Sequence, residues 1–390
     1  MHLLLKNLRW VNVNREFSGD VRIANGIITE IGSDLQPHKN ERVGNFENHY
    51  IYPGLINSHD HLEMNLYPKL GTPPYANYLD WAKDIYKPNT SPIREIEKVD
   101  IKDRLLWGGL KNLISGVTTV VHHNPWHIML RKKEFPTKVL KTNWAHSPEL
   151  GKDIQKEFKK NELTFVIHAG EGIDEFAYSE ITKLHSLGLL KKNTVLVHAV
   201  AARQSDIESI ASEKSSMVWC PASNLFMFDQ TAPIQQMKGK IKIAIGTDST
   251  MTGTRTLLDE IKIANETGLA TSNEIYDMIT AIARTIFNLP DQSISITHPA
   301  DLFIAPIKHK NYFENLIQLT PADINLILIN GNIKLVAAEW QGLTPLKNNV
   351  KINSTLKYID VDVAALKQRI EKKVGATILE ANALWRLIEV

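Results

Sequence analysis

Cysteine is almost absent from this sequence: Cys220 stands alone among 390 residues. A single thiol forms no intrachain disulfide and cannot build a Cys-rich zinc framework, including the paired-cysteine site of the H-x-E…P-C-x-x-C nucleobase deaminases. Any metal must therefore be held by histidine and carboxylate. Long apolar runs are lacking too. The start, Met1-His2-Leu3-Leu4-Leu5-Lys6, is too short for a signal peptide, and no later run approaches the roughly 20 apolar residues of a membrane span. The expectation is a cytoplasmic protein with no membrane partner. Neither sign of charge is in excess, with 45 Lys+Arg against 43 Asp+Glu, so no field draws in polyanions and nucleic-acid binding is not expected. No internal repeat, low-complexity tract or P-loop is found. With 43% hydrophobic and 23% charged residues the composition is globular. The length exceeds one modal domain and predicts two domains, or one large α/β domain with an accessory piece.

Both ends read as short strands. Around Asn25-Gly26 and again around Asn330-Gly331-Asn332, two apolar runs meet at a residue pair suited to a tight hairpin turn. Isolated hairpins are marginal, so residues 1–52 and 296–360 are expected to pair into one small β-sandwich domain, with the middle of the chain inserted. Residues 53–295 alternate β-branched runs with helical patterns such as Ile154 to Lys160, Asp174 to Leu190 and Gln204 to Ser212. This predicts an α/β fold, a parallel (β/α)8-type TIM barrel or an open doubly wound sheet. Only seven strands are countable: 54–58, 117–121, 139–145, 164–167, 194–197, 217–219 and 241–245. Either one is too irregular to see or the barrel is one strand short. Residues 361–390 carry helical spacing (Val363, Leu366, Ile370, Val374) and are expected to pack outside.

Histidine is plentiful, with 14 residues, and the positions are ordered. His59 and His61 are two apart after an apolar run, so in extended chain both imidazoles face one way. A lone H-x-H is a weak signal, since two surface histidines explain it. His168, His198 and Asp248, however, each close a separate apolar strand. In a parallel barrel the strand C-termini carry the active site, so these residues read as functional. Imidazole and carboxylate suit a borderline divalent ion such as zinc, whose bound water becomes a nucleophile near neutral pH. Glu171, three residues beyond His168, is placed to carry protons; a helix N-terminal glutamate is the plainer reading of the same residue.

Together Pro53-Gly54-Leu55-Ile56-Asn57-Ser58-His59-Asp60-His61, His168-Ala169-Gly170-Glu171, Val197-His198-Ala199, Cys220-Pro221-Ala222-Ser223-Asn224-Leu225 and Gly246-Thr247-Asp248-Ser249 resemble the amidohydrolase superfamily. The resemblance is to the branch of cytosine deaminase, guanine deaminase and the triazine hydrolases, and it covers about residues 1–340. It implies that His59, His61, His168 and Asp248 ligate one divalent ion per chain, zinc or, as the alternative, iron. It further implies that Glu171 passes a proton to the leaving or ring nitrogen, that His198 holds the attacking hydroxide or polarises the substrate, and that Asp248 takes the water proton. Related enzymes are usually homo-oligomers. Binuclear members use a carbamylated lysine on the fourth strand; no lysine at a strand end stands between His123 and Thr164, Lys141 lying mid-strand, so one metal is expected.

Near the inferred strand ends, Glu63, Asn65, His122, His123, Asn124 and His146 are candidate pocket residues, with Asn224 and residues 250–254 completing the wall. The aromatic, proline-rich stretch 65–87, including Trp81, is placed to cover the site and stack on a planar ring, or simply to pack over the barrel mouth. The expected activity is hydrolysis of a non-peptide C–N bond in a small molecule, foremost deamination of a heterocycle. The alternatives are a binuclear cyclic-amide hydrolase of the dihydroorotase or hydantoinase type, and a barrel that has lost its chemistry.

Overall fold

The computed structural model describes residues 2–12, 15–150, 153–159 and 163–390. Its two Asn-Gly hairpins form where expected. Ala24 pairs with Ile27 and Ile329 with Asn332, and the turn residues Asn25, Gly26, Asn330 and Gly331 all have positive φ, between 50° and 86°, as a type I′ turn requires. The two turns also meet: a side chain on Gly26 would lie 2.9 Å from the Asn330 carbonyl oxygen. Strands from both chain ends are hydrogen-bonded into a single ten-stranded mixed sheet, joined where His49–Pro53 runs antiparallel to Leu302–Pro306. The tail adds the helix Val363–Val374, tied to the helix Ile101–Leu113 by an Arg369–Asp103 ion pair, and its last residues, Ile388–Glu389, form an edge strand of that sheet.

The middle of the chain is α/β, with parallel strands in two sheets. Leu55–Asp60, Val117–His122 and Lys138–Leu140 form one; Asn143–Ala145, Phe165–Ala169, Thr194–His198, Ser216–Trp219 and Lys242–Ile245 form the other. Most are buried throughout, as strands covered on both faces must be; Lys138–Leu140 is half-buried and Lys242 exposed. Of the predicted helices, Glu175–Ser186 is shorter than 174–190, Gln204–Ser212 is as expected, and Ile154–Phe158 is short; Lys160 lies outside the described residues.

The single strand expected over 139–145 is interrupted at Lys141–Thr142. Its first part pairs with Val117–His122 (Thr119 opposite Lys138) and its second with Phe165–Ala169 (Asn143 opposite Phe165). Two neighbouring parallel strands need a crossover of a dozen or more residues, which a two-residue break cannot supply. One extended run thus serves both sheets, changing partner midway. At the far edges the sheets meet again. The Thr247 and Asp248 amides both donate to the His59 carbonyl, at 3.0 and 3.1 Å, and the His61 amide donates to the Asp248 carbonyl. That approach depends on Gly246, where a Cβ would lie 2.6 Å from the His59 Cβ.

Candidate metal and catalytic site

His59, His168, His198 and Asp248 stand at or just beyond the C-terminal ends of their strands, and the chain there is bent hard. His198 and Asp248 have φ of 74° and 56°, left-handed values that cost a non-glycine residue roughly 1–3 kcal/mol and cluster at functional sites. Five buried groups converge. His59 Nε2 is 3.1 Å from His168 Nε2, and Asp248 Oδ1 is 3.7 Å from His59 Nε2 and 3.4 Å from His61 Nε2. His59, His168 and His198 form one potential cation-holding group and His59, His61 and Asp248 another.

The donor set fits a divalent ion. His168 Nδ1 lies 2.7 Å from the His146 carbonyl, so Nδ1 carries the proton and the Nε2 lone pair faces His59. Ring nitrogens 3.1 Å apart beside a carboxylate match a donor set that can close on one cation. Burial, before any other influence, keeps His59 neutral by lowering its pKa to about 4 and holds His168 well below its ordinary value. For Asp248 burial pulls upward, but the hydrogen bond to His59 and the charges of His61 and His198 outweigh it, leaving the carboxyl well below the usual range. Imidazole neutral and carboxylate ionised are the ligating forms.

Around this set runs a layer of supporting contacts. Ser223 and Thr252 each donate to Asp248 Oδ2 at 2.8 Å. His198 Nδ1 lies 2.8 Å from Asn224 Oδ1, and its Nε2 lies 3.5 Å from Glu171 Oε1. Burial, reinforced by the charges of Asp248 and Glu180, raises the Glu171 carboxyl well above its ordinary value, so it is a carboxyl that can arrive protonated. Glu180 accepts from the Gly170 amide at 2.8 Å and from the Tyr78 hydroxyl at 3.2 Å, fixing the turn that carries Glu171.

Of the pocket candidates, Trp81, Asn124, His146, Met251 and Thr252 line a cavity of about 300 Å³ together with His61, His168, Glu171, His198 and Asp248. Glu63, Asn65, His123 and Asn224 do not line it. The Glu63 carboxylate accepts from Asn124. His123 is buried behind the site, stacked on His168 at 4.4 Å. Asn224 acts on His198 rather than on the cavity. Asn65 is fully buried and donates to Asp60 Oδ1 at 2.7 Å. Asn65 belongs to a cluster that sequence reasoning missed, centred on Lys111. That lysine, 0% exposed, donates to Asn65 Oδ1 at 2.8 Å and Thr247 Oγ1 at 2.9 Å and pairs with Asp60 Oδ2 at 3.3 Å. Asp60 also accepts from Asn57 and Asn112. The cluster thus ties the residue between His59 and His61 to the residue before Asp248. The one sequence signal was a lysine amid the apolar spacing of the helix Ile101–Leu113.

The amidohydrolase family model matches residues 139–345, more than half of the chain, and the protein belongs to that family. Among curated relatives, a 5-methylthioadenosine/S-adenosylhomocysteine deaminase of Pyrococcus furiosus is 22% identical over 393 residues, covering 82% of this chain and 91% of its own. Among solved structures, a zinc-bound adenosine deaminase from Xanthomonas campestris superposes with a TM-score of 0.69 at 17% identity, covering 95% of this chain and 97% of that one. A zinc complex of an atrazine chlorohydrolase from Arthrobacter aurescens gives 0.73 at 16%, covering 94% and 100%. No helix among the described residues is long and apolar enough to cross a membrane.

Proposed function

We propose that this protein is a metal-dependent hydrolase that removes ammonia from a small amino-heterocycle, using one divalent ion, zinc foremost, held by His59, His61, His168 and Asp248. The observation that carries the reading is the convergence of these four ligands with Glu171 and His198 at one cavity. The zinc complexes among the solved relatives and the deaminases among the curated ones support it. In this reading the parallel strands close into a (β/α)8-type barrel over 53–295 that is one position short, because 138–145 fills a single place. Residues 1–52 and 296–360 make the accessory β-sandwich unit. Lys141, the nearest candidate for a bridging lysine, instead lies over the Trp126 ring at 6.0 Å and lines a different cavity, which supports one metal rather than two.

When bound, such an ion supplies Lewis acidity and a water acidic enough to attack near neutral pH. Asp248 stands beside the histidine nitrogens and accepts the water proton. His198, whose Nδ1–H donates to Asn224, presents the Nε2 lone pair, which accepts from the attacking water and holds it. Glu171, neutral on arrival, donates its proton to the departing nitrogen, which leaves as ammonia. Apolar walls keep other water out and strengthen each of these contacts. The test is metal analysis of wild type and Glu171→Gln, coupled to ammonia release from aminopurines, aminopyrimidines and pterins. The variant should keep its metal and lose turnover by a factor of about 10²–10⁴. Turnover retained in the variant, or no ammonia from any substrate by the metal-loaded wild type, overturns the reading.

A further inference from the structure

The cavity described above is unusual in what its walls do not offer. Among the described residues no lysine or arginine lines it, and its only carboxylates, Glu171 and Asp248, belong to the reacting set. Beyond that set the wall is apolar, formed chiefly by Met64, Trp81, Ile85, Leu150, Met227 and Met251. Most of the polar side chains that reach it are engaged elsewhere; Ser249 also lines it, its hydroxyl accepting from the Met251 amide at 3.3 Å. The Tyr78 hydroxyl bonds Ser147 at 2.7 Å and Glu180 at 3.2 Å. Trp81 Nε1 donates to the Leu70 carbonyl at 3.1 Å, Asn124 Nδ2 to Glu63 at 2.7 Å, and Thr252 to Asp248 at 2.8 Å. Tyr86, 70% exposed, stands at the mouth. A buried Nδ1 on His146 has no protein partner and remains for one contact at a ring edge.

Polar groups carried into such a cavity would lose their water without gaining a partner, which is how a site rejects them. A sugar diol needs paired donors and acceptors, and an amino-acid tail needs opposite charges; the wall offers scattered single polar atoms, on Ser249, Asn124 and His146, and no charge beyond the reacting set. A flat ring with an apolar substituent loses nothing, and Trp81 and three methionines suit it. We infer that the substrate is an uncharged planar amino-heterocycle carrying an apolar substituent, such as an alkyl or alkylthio group, and neither a ribosyl group nor a charged tail. This inference rests on the hydrolase reading but is tested apart from it.

The metal-loaded enzyme is given one amino-heterocycle in three forms: alkylthio-substituted, ribosylated, and bearing a zwitterionic amino-acid tail. The expected kcat/KM for the first exceeds the second at least tenfold and the third at least a hundredfold. A ribosylated or zwitterionic form turned over as well as the alkylthio form overturns the inference. If no form of any aminopurine, aminopyrimidine or pterin releases ammonia, the hydrolase reading fails, and binding of the corresponding unreactive oxo-heterocycles, followed by tryptophan fluorescence, decides the inference. The same order of affinity upholds it and an inverted or flat order refutes it. Ile85→Arg, at the end of the helix Tyr78–Ile85, should raise affinity for a carboxylate-tailed analogue at least tenfold; no gain in a folded variant counts against an unpaired apolar wall.

Discussion

Replacing Lys111 by methionine removes one charge and three polar contacts while keeping the side chain's length. The ammonium sits at 0% exposure among Asp60, Asn65 and Thr247, so the loss is that of one partner from a buried ion pair, which costs about 3–5 kcal/mol. Asp60 keeps the amide donors of Asn57, Asn65 and Asn112, at 3.0, 2.7 and 2.8 Å, which places the expected loss near the lower end, about 3 kcal/mol. Because Asp60 lies between two proposed ligands and Thr247 precedes a third, the damage should also reach the metal. Urea unfolding, read as a lower midpoint at unchanged slope, measures the first effect. Zinc affinity by competition with a chromophoric chelator measures the second, with a tenfold or greater weakening expected. A loss below about 1 kcal/mol, the value of an exposed pair, with unaltered zinc affinity would refute the reasoning.

Asn224→Ala frees His198 Nδ1 from its partner and should cost about 10–100-fold in turnover without removing metal, checked by steady-state kinetics beside metal analysis. Gly246→Ala drives a methyl into His59, whose Cβ would be 2.6 Å away, so the purified variant should hold markedly less than one equivalent of metal; full occupancy would contradict the close approach. Burial holds the Lys357 ammonium down to about 7, below its ordinary 10.5. Under pH 7 both folded and unfolded chains are protonated and the native state bears the whole desolvation cost. Between pH 7 and 10.5 the unfolded chain binds more protons, so stability from this group rises with pH, by up to about 5 kcal/mol at 1.36 kcal/mol per unit. Lys357→Met should flatten that part of a stability–pH profile, and an unchanged slope in the variant would show the lysine is not its source.

What could be read from sequence was what neighbours in sequence decide. Asn25-Gly26 and Asn330-Gly331 specify their turns through local φ preferences, and His168, His198 and Asp248 announce themselves by ending apolar runs. Which way a rim residue faces is not local. His146 lines the cavity, whereas His123, equally near a strand end, points back into the protein, as does Asn65. Lys111 and Glu180 look like ordinary helix residues; their importance arises only when Asp60 and Gly170 are brought against them. The change of partner within 138–145 was invisible for the same reason, since an extended run does not say which strand lies on either side.

That shared run has a consequence for how the chain tolerates change. Elsewhere a one-residue insertion between elements is absorbed by a loop. Here residues 138–140 are in register with 119–121 and residues 143–145 with 165–167, with two residues between them. An added or deleted residue would turn the side chains of one half to the opposite face, and the error would travel to the strand bearing His168 or to the one leading to His122 and His123. Length variation among close homologues should therefore be excluded from this octapeptide, although it holds none of the proposed ligands.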